Sequence, residues 1–165
     1  TLDVSGNGGA DTATQTNYVT VYDPAVADFT GSPLTGIDTL AVTFTDSSTG
    51  DIDSWSCDFD NDGTADSTVQ NPVYTYTAPG VYTVTLTASG LGGSNTNTKT
   101  DYITVYSPAG TDFSATPTSG NFPLEVTFTD LSSGDIDTWS WDFDNDGTAD
   151  STVQNPSYTY TILGA

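Results

Sequence analysis

The chain is predicted to be all-β, a tandem of two-sheet antiparallel sandwiches with a period of 84 residues, and three observations carry that prediction. Apolar residues alternate with Thr or Ser, the period-two pattern of half-buried strands. The breaks between these stretches hold Gly, Pro, Asn and Asp, the residues of tight turns. The chain also repeats itself: 25 of 28 positions are identical between Gly50–Thr77 and Gly134–Thr161.

Taken in order, residues 1–22 read like residues 85–106. Thr1-Leu2-Asp3-Val4-Ser5-Gly6 matches Thr85-Leu86-Thr87-Ala88-Ser89-Gly90, and Tyr18-Val19-Thr20-Val21-Tyr22 matches Tyr102-Ile103-Thr104-Val105-Tyr106. They are expected to form the last two strands of a domain. Residues 23–106 form a whole repeat. Its strands are expected at Ala41–Thr45, Val73–Thr77, Tyr82–Thr87 and Asp101–Tyr106, where β-branched and aromatic residues mark one face. Its turns are expected at Ser47–Gly50, Asn61-Asp62-Gly63, Asn71-Pro72, Ala78-Pro79-Gly80 and Gly90–Gly93. Residues 107–165 repeat its first part, Phe113, Phe128, Trp139 and Tyr160 standing for Phe29, Phe44, Trp55 and Tyr76. No stretch has helical periodicity. About seven short strands per repeat point to an immunoglobulin-like sandwich.

Composition narrows the function. Of the charged residues, 22 are acidic and Lys99 alone is basic, giving a net charge of −21. That excludes nucleic acid and anionic membrane surfaces, which need cationic side chains, and favours divalent cations or a salty medium. No apolar run reaches the roughly 20 residues of a membrane span. The chain has no initiator Met and no signal peptide, which reads as a processed chain or a segment of a longer one. Histidine is absent, and catalysis is not expected. The pairs Asp51/Asp53 and Asp135/Asp137 could serve as a glycosidase acid and nucleophile only with a cleft around them. Cys57 rules out an internal disulfide; its counterpart is Trp141, and it is expected to be a buried, inert thiol.

Trp139-Ser140-Trp141-Asp142-Phe143-Asp144-Asn145-Asp146-Gly147 followed by Asn155-Pro156-Ser157-Tyr158-Thr159-Tyr160 resembles the PKD (polycystic kidney disease) domain family. In the middle repeat the likeness runs on through Pro79-Gly80-Val81-Tyr82-Thr83-Val84 to Asp101-Tyr102-Ile103-Thr104-Val105. The resemblance implies an immunoglobulin-like sandwich of extracellular and cell-surface microbial proteins, used as a spacer, adhesion or substrate-contacting module. Two places depart from the pattern: Cys57, where an aromatic is expected, and Ile162-Leu163-Gly164-Ala165, which replaces the Pro-Gly turn.

The sharpest chemical motif is Asp58-Phe59-Asp60-Asn61-Asp62-Gly63-Thr64-Ala65-Asp66, repeated at 142–150. Alternate carboxylates before a glycine match the first half of a calcium loop. The predicted ligands are Asp58, Asp60, Asp62 and Asp66, and Asp142, Asp144, Asp146 and Asp150. The loop is not an EF-hand, since Val69 or Val153 occupies the place of the bidentate Glu. The bland reading is a solvated acidic turn. Trp55, Phe59, Trp139, Trp141 and Phe143 share one strand face and are expected in the core, not on a sugar-stacking platform. Tyr74, Tyr76, Tyr82, Tyr102 and Tyr106 are expected to pack with their hydroxyls at the rim. No N-glycosylation sequon exists, Asn155-Pro156-Ser157 being blocked by its proline, while the Thr and Ser faces offer sites for O-linked glycans.

The expected role is structural: a subunit of an extracellular filament, in which residues 107–165 of one copy are completed by residues 1–22 of the next. A strand of about eight residues spans roughly 26 Å, too short to reach back over a whole domain. The first alternative is a segment of a longer covalent array acting as spacer or adhesion module. The second is a carbohydrate-binding module of a secreted hydrolase.

Overall fold

Alternation becomes strands in chain order, and the computed structural model describes residues 1–161. The strands are β1 (Leu2–Gly6), β2 (Gly9–Ala13), β3 (Phe29–Ser32), β4 (Thr35–Ile37), β5 (Leu40–Asp46), β6 (Ser54–Asp58), β7 (Val73–Tyr76), β8 (Gly80–Gly90), β9 (Gly93–Tyr106), β10 (Phe113–Thr116), β11 (Leu124–Asp130) and β12 (Ser157–Tyr160). No helix occurs among the described residues, so none is long and apolar enough to cross a membrane. The departure at Ile162-Leu163-Gly164-Ala165 lies outside the described residues.

The middle repeat holds β3 to β9 in two sheets, of order β3-β5-β7 and β4-β9-β8-β6. Pairing is antiparallel for β3 with β5 and for β6 with β8, and parallel for β4 with β9. This is an immunoglobulin-like sandwich. Alternation in β5 buries Leu40, Val42 and Phe44, and in β8 it buries Val84, Leu86 and Ala88. Phe29 of β3 meets Tyr102 of β9 edge-on at 5.7 Å between ring centres. Phe44 stacks on Phe59 at 4.6 Å, and Phe59 meets Tyr74 at the same distance. Such ring pairs add about 0.5–1.5 kcal/mol each beyond the area they bury. Cys57 sits among them, buried. Tyr102 accepts the Gly31 N–H at its hydroxyl, as expected of a rim tyrosine, but Tyr106 is largely exposed.

By contact the chain divides into two units. One comprises Thr1–Ser32, Thr43–Tyr74 and Tyr82–Tyr102; the other comprises Pro33–Val42, Thr75–Val81 and the residues from Ile103 on. In the first, β1 and β2 form a hairpin whose side chains are all exposed. The stretch Tyr18–Tyr22, expected as a strand, is not one: Tyr18, Val19 and Val21 stand in solvent. In the middle repeat its counterpart lies between β4 and β8. Without such neighbours an extended segment leaves its backbone groups to water.

In the second unit, β10, β11 and β12 form one antiparallel sheet that mirrors β3-β5-β7. The counterpart of β6, residues 138–142, forms no strand there and keeps only the bridge between Trp141 and Ser151. The expectation that Trp139, Trp141 and Phe143 belong to a closed core needs correcting, because all three are only half-buried, as Trp55 is in the middle repeat. Phe29 is 3% exposed, yet its counterpart Phe113 is 58% exposed. No second sheet covers this face among the described residues of the unit. Trp141 lies over part of it instead, 5.4 Å from Phe113 and 5.6 Å from Phe128.

Candidate metal centre

Each Asp-rich loop starts where its strand or bridge ends. In the middle repeat, the Cys57 N–H donates to the Ser67 carbonyl at 2.8 Å and the Asp66 N–H donates to the Cys57 carbonyl at 2.8 Å. Trp141 makes the same two bonds with Ser151 and Asp150, at 2.8 and 2.7 Å. The loop is therefore longer than a two-residue hairpin turn, and its neck is closed by backbone bonds.

Within the neck the carboxylates organise the backbone. Asp58 accepts the N–H of Asn61 at 2.6 Å on one oxygen and that of Gly63 at 2.9 Å on the other. Asp60 accepts from Asp62, Asp62 from Thr64 and Asp66 from Phe59, at 3.2, 2.7 and 2.7 Å. The second loop repeats the pattern: Asp142 accepts from Asp146 and Gly147, Asp146 from Thr148, and Asp150 from Phe143. Backbone φ is positive at Asn61 (59°) and Gly63 (88°), and at Asn145 (58°) and Gly147 (89°). Asn and Gly are the residues that adopt that region at low cost, which is why they stand at these turns.

Carboxylate oxygens of Asp58, Asp60 and Asp66 come within 4.8 Å of one another in the first loop, and those of Asp142, Asp144 and Asp146 do so in the second. Asp62 in the first loop and Asp150 in the second stand outside these triplets. Partial desolvation, then the charges of the neighbouring aspartates, hold the Asp60 and Asp144 carboxyls above the usual carboxylate range. The backbone N–H of Gly147 first, with others behind it, holds Asp142 below that range. Crowded oxygens in an exposed loop suit a hard cation such as calcium, which takes six to eight oxygen ligands.

Several acidic residues outside the loops have architectural work. Asp51 accepts the Asp23 N–H at 2.7 Å and Asp135 accepts the Ser107 N–H at 2.6 Å, so one member of each supposed catalytic pair fastens the start of its repeat. Sequence reasoning missed Asp46 and Asp130. Asp46 accepts from the Trp55 indole at 2.9 Å and from Gln70 at 3.0 Å, and Asp130 repeats this with Trp139 and Gln154 at 2.8 and 3.1 Å. Their signal was present as an Asp nine residues before a Trp in both copies.

The single cation is also structural. Lys99 lies 4.6 Å from the centre of the Phe29 ring, donates to the Phe29 carbonyl and pairs with Asp28 at 3.3 Å. Phe29 and Lys99 together hold the Asp28 carboxyl down, the Phe29 N–H being the larger influence and Lys99 the next.

No curated protein matches the chain. The PKD domain family matches residues 24–105, the stretch that carries β3 to β8 and all of β9 except its last residue. In sequence and in fold the middle repeat is a PKD domain, a member of the PKD domain family over residues 24–105.

Proposed function

We propose that the chain is a non-catalytic structural subunit of an extracellular or cell-surface fibre, joined head to tail by sharing the strands of a split sandwich. One observation carries this reading: positions 84 apart are buried in the middle repeat and open in the flanking segments. Leu86, Ala88, Ile103 and Val105 are at most 3% exposed, whereas Leu2, Val4, Val19 and Val21 are 54% to 87% exposed. Large apolar patches of this kind mark interaction surfaces. The family supports an extracellular module of adhesive or structural type.

Electron microscopy of the purified protein tests the reading directly. Fibres that fall apart under denaturing conditions into chains of 17.2 kDa are expected. A far larger denatured mass would favour the alternative of a covalent array serving as spacer or adhesion module, which the unbroken 84-residue phase also fits. The carbohydrate-binding alternative has less support, since Phe59 and Tyr76 are buried and Trp55 spends its indole N–H on Asp46.

Calcium in the two Asp loops belongs to the same proposal, with Asp58, Asp60 and Asp66, and Asp142, Asp144 and Asp146, as the oxygen donors nearest one another. At a dissociation constant of order 0.1–1 mM, ~10 mM calcium would add about 1.4–2.7 kcal/mol per loop. The melting temperature should therefore rise in calcium over EDTA, and Asp58→Asn should remove the middle repeat's share. An identical melt in both would end the metal assignment.

A further inference from the structure

We infer that the open face of the second repeat is a docking groove for residues 1–22 of a second copy, seated in the register that β8 and β9 hold in the middle repeat. This rests on the strand-sharing reading above and adds the site, the occupant and the pairing. The groove is a cavity of about 520 Å³ whose lining includes Phe113, Phe128, Trp139, Trp141, Phe143 and Tyr160. In the middle repeat the corresponding positions are Phe29, Phe44, Trp55, Cys57, Phe59 and Tyr76, and what lies against them there is the β8–β9 side of the sandwich.

The middle repeat is thus an interface already formed by the same chain. There Trp55 stands opposite Ala88, Ser56 opposite Thr87 and Cys57 opposite Leu86. Subtracting or adding 84 places Trp139 opposite Val4 of the second copy, Ser140 opposite Asp3 and Trp141 opposite Leu2. The parallel pairing of Thr35–Ile37 with Thr104–Tyr106 likewise places residues 119–121 beside Thr20–Tyr22. The two places share one close approach, a Cβ on Gly120 striking Leu124 as one on Gly36 would strike Leu40, while residues 119–121 form no strand in the open copy.

Size agrees. The donated segment has 22 residues, within the roughly 20–30 per side of a standard stable interface. Its Leu2, Val4, Val19 and Val21 match the apolar character of Leu86, Ala88, Ile103 and Val105 at all four positions. Among the core-facing positions of the joint, Cys57 becomes Trp141, Ala88 becomes Val4 and Ile103 becomes Val19, so the bulk of the seam moves to the accepting side. The hydrogen-bonding tethers differ too. Asn95 and Asn97, which hold Ala27 through its N–H and its carbonyl, become Asp11 and Ala13. Lys99 becomes Gln15. The donated segment keeps two acceptors, Asp11 for Asn95 and Tyr18 for Tyr102, and lacks the Asn97 amide and the Lys99 ammonium, which donate from β9 to their own repeat.

Disulfide trapping tests the register in the full chain. In a Cys57→Ala background, D3C with S140C pairs two exposed positions that the register sets opposite, and S5C with T138C is a second such pair. S5C with S140C is two residues out of register, a diagonal pair about 7–8 Å apart. Cysteines bridge only when their Cα atoms lie within about 7 Å. Mild oxidation should turn both in-register variants into ladders of 17.2 kDa multiples on a non-reducing gel, and leave the slipped pair unlinked. A fast-migrating monomer band in place of a ladder would mean that the chain fills its own groove, and equal ladders from all three would mean unspecific contact; either overturns the inference. Fibres without a ladder from either in-register pair would overturn the register while strand sharing stands. Absence of fibres from the unsubstituted chain would remove the reading on which the inference rests.

Discussion

Position 57 holds the only thiol and position 141 an indole, in loops otherwise almost letter for letter the same. Burial first, then the charges of Asp46 and Asp66, pushes the Cys57 thiol up to about 11. The native protein should therefore resist alkylation at pH 8 and react only once unfolded, as mass spectrometry of iodoacetamide-treated samples would show. Asp46 and Asp130 give the pH dependence. Burial raises Asp46, but bonds from Ser48, Gln70 and Trp55 outweigh it; Asp130 is drawn down chiefly by the Ser132 hydroxyl, then by its N–H and Gln154. Both carboxyls lie lower in the folded than in the unfolded chain, so their stabilisation is in place above the ordinary carboxylate value and is lost progressively as pH falls from there through the lower folded value. The melting temperature should hold from pH 7 to about 5 and drop below about 4. Asp46→Asn should lower it at neutral pH and flatten the acid limb. Gly50 is tightly constrained, as its counterpart Gly134 is: φ is 103° at one and 96° at the other, and a Cβ would strike the carbonyl oxygen of Pro24 or of Pro108. Gly50→Ala should destabilise by several kcal/mol, against about 1 kcal/mol for Gly63→Ala, whose surroundings are open. Paired thermal melts would measure both.

Residues 54–58 and 138–142 agree at Trp, Ser and Asp, yet only the first stretch makes a strand, and the difference is the neighbour. β6 pairs with β8, and no such strand stands beside 138–142 in its unit. Strand propensity is a statement about packing and pairing more than about the residue itself. Hydrogen exchange should accordingly protect the amides of residues 54–58 and leave those of 138–142 fast in the unassembled chain; protection of 138–142 should appear on assembly. Much was legible from sequence. The alternation at 41–45, 73–77, 82–87 and 101–106 marked four strands, all of which form, and the Asp loops stood out twice by their own repetition. What sequence did not give was which copies would find partners. Tyr18–Tyr22 carries the pattern of Tyr102–Tyr106 but not its flanking strands, and Trp141 carries a core residue's character on an open face. The triplet of aspartates in each loop was likewise out of reach, because side-chain convergence depends on the turn at Asn61 or Asn145 rather than on spacing alone.

On the scale of the whole molecule, a charge of −21 with one cation sets every encounter between copies against repulsion. Screening shortens from about 10 Å at 0.1 M salt to about 3 Å at 1 M. The pelleted fraction in sedimentation should therefore climb with sodium chloride, and climb at far lower concentration with calcium chloride. Dissolution by salt would contradict a seam made of apolar contact. The same scarcity of cations has a consequence for survival outside a cell. A protease of trypsin specificity finds one bond to cut in the entire chain, after Lys99, and that residue lies inside β9 with its side chain held against Phe29 and Asp28. The strand would have to leave its sheet before the enzyme could take hold, so the fold hides the only susceptible bond that the composition left.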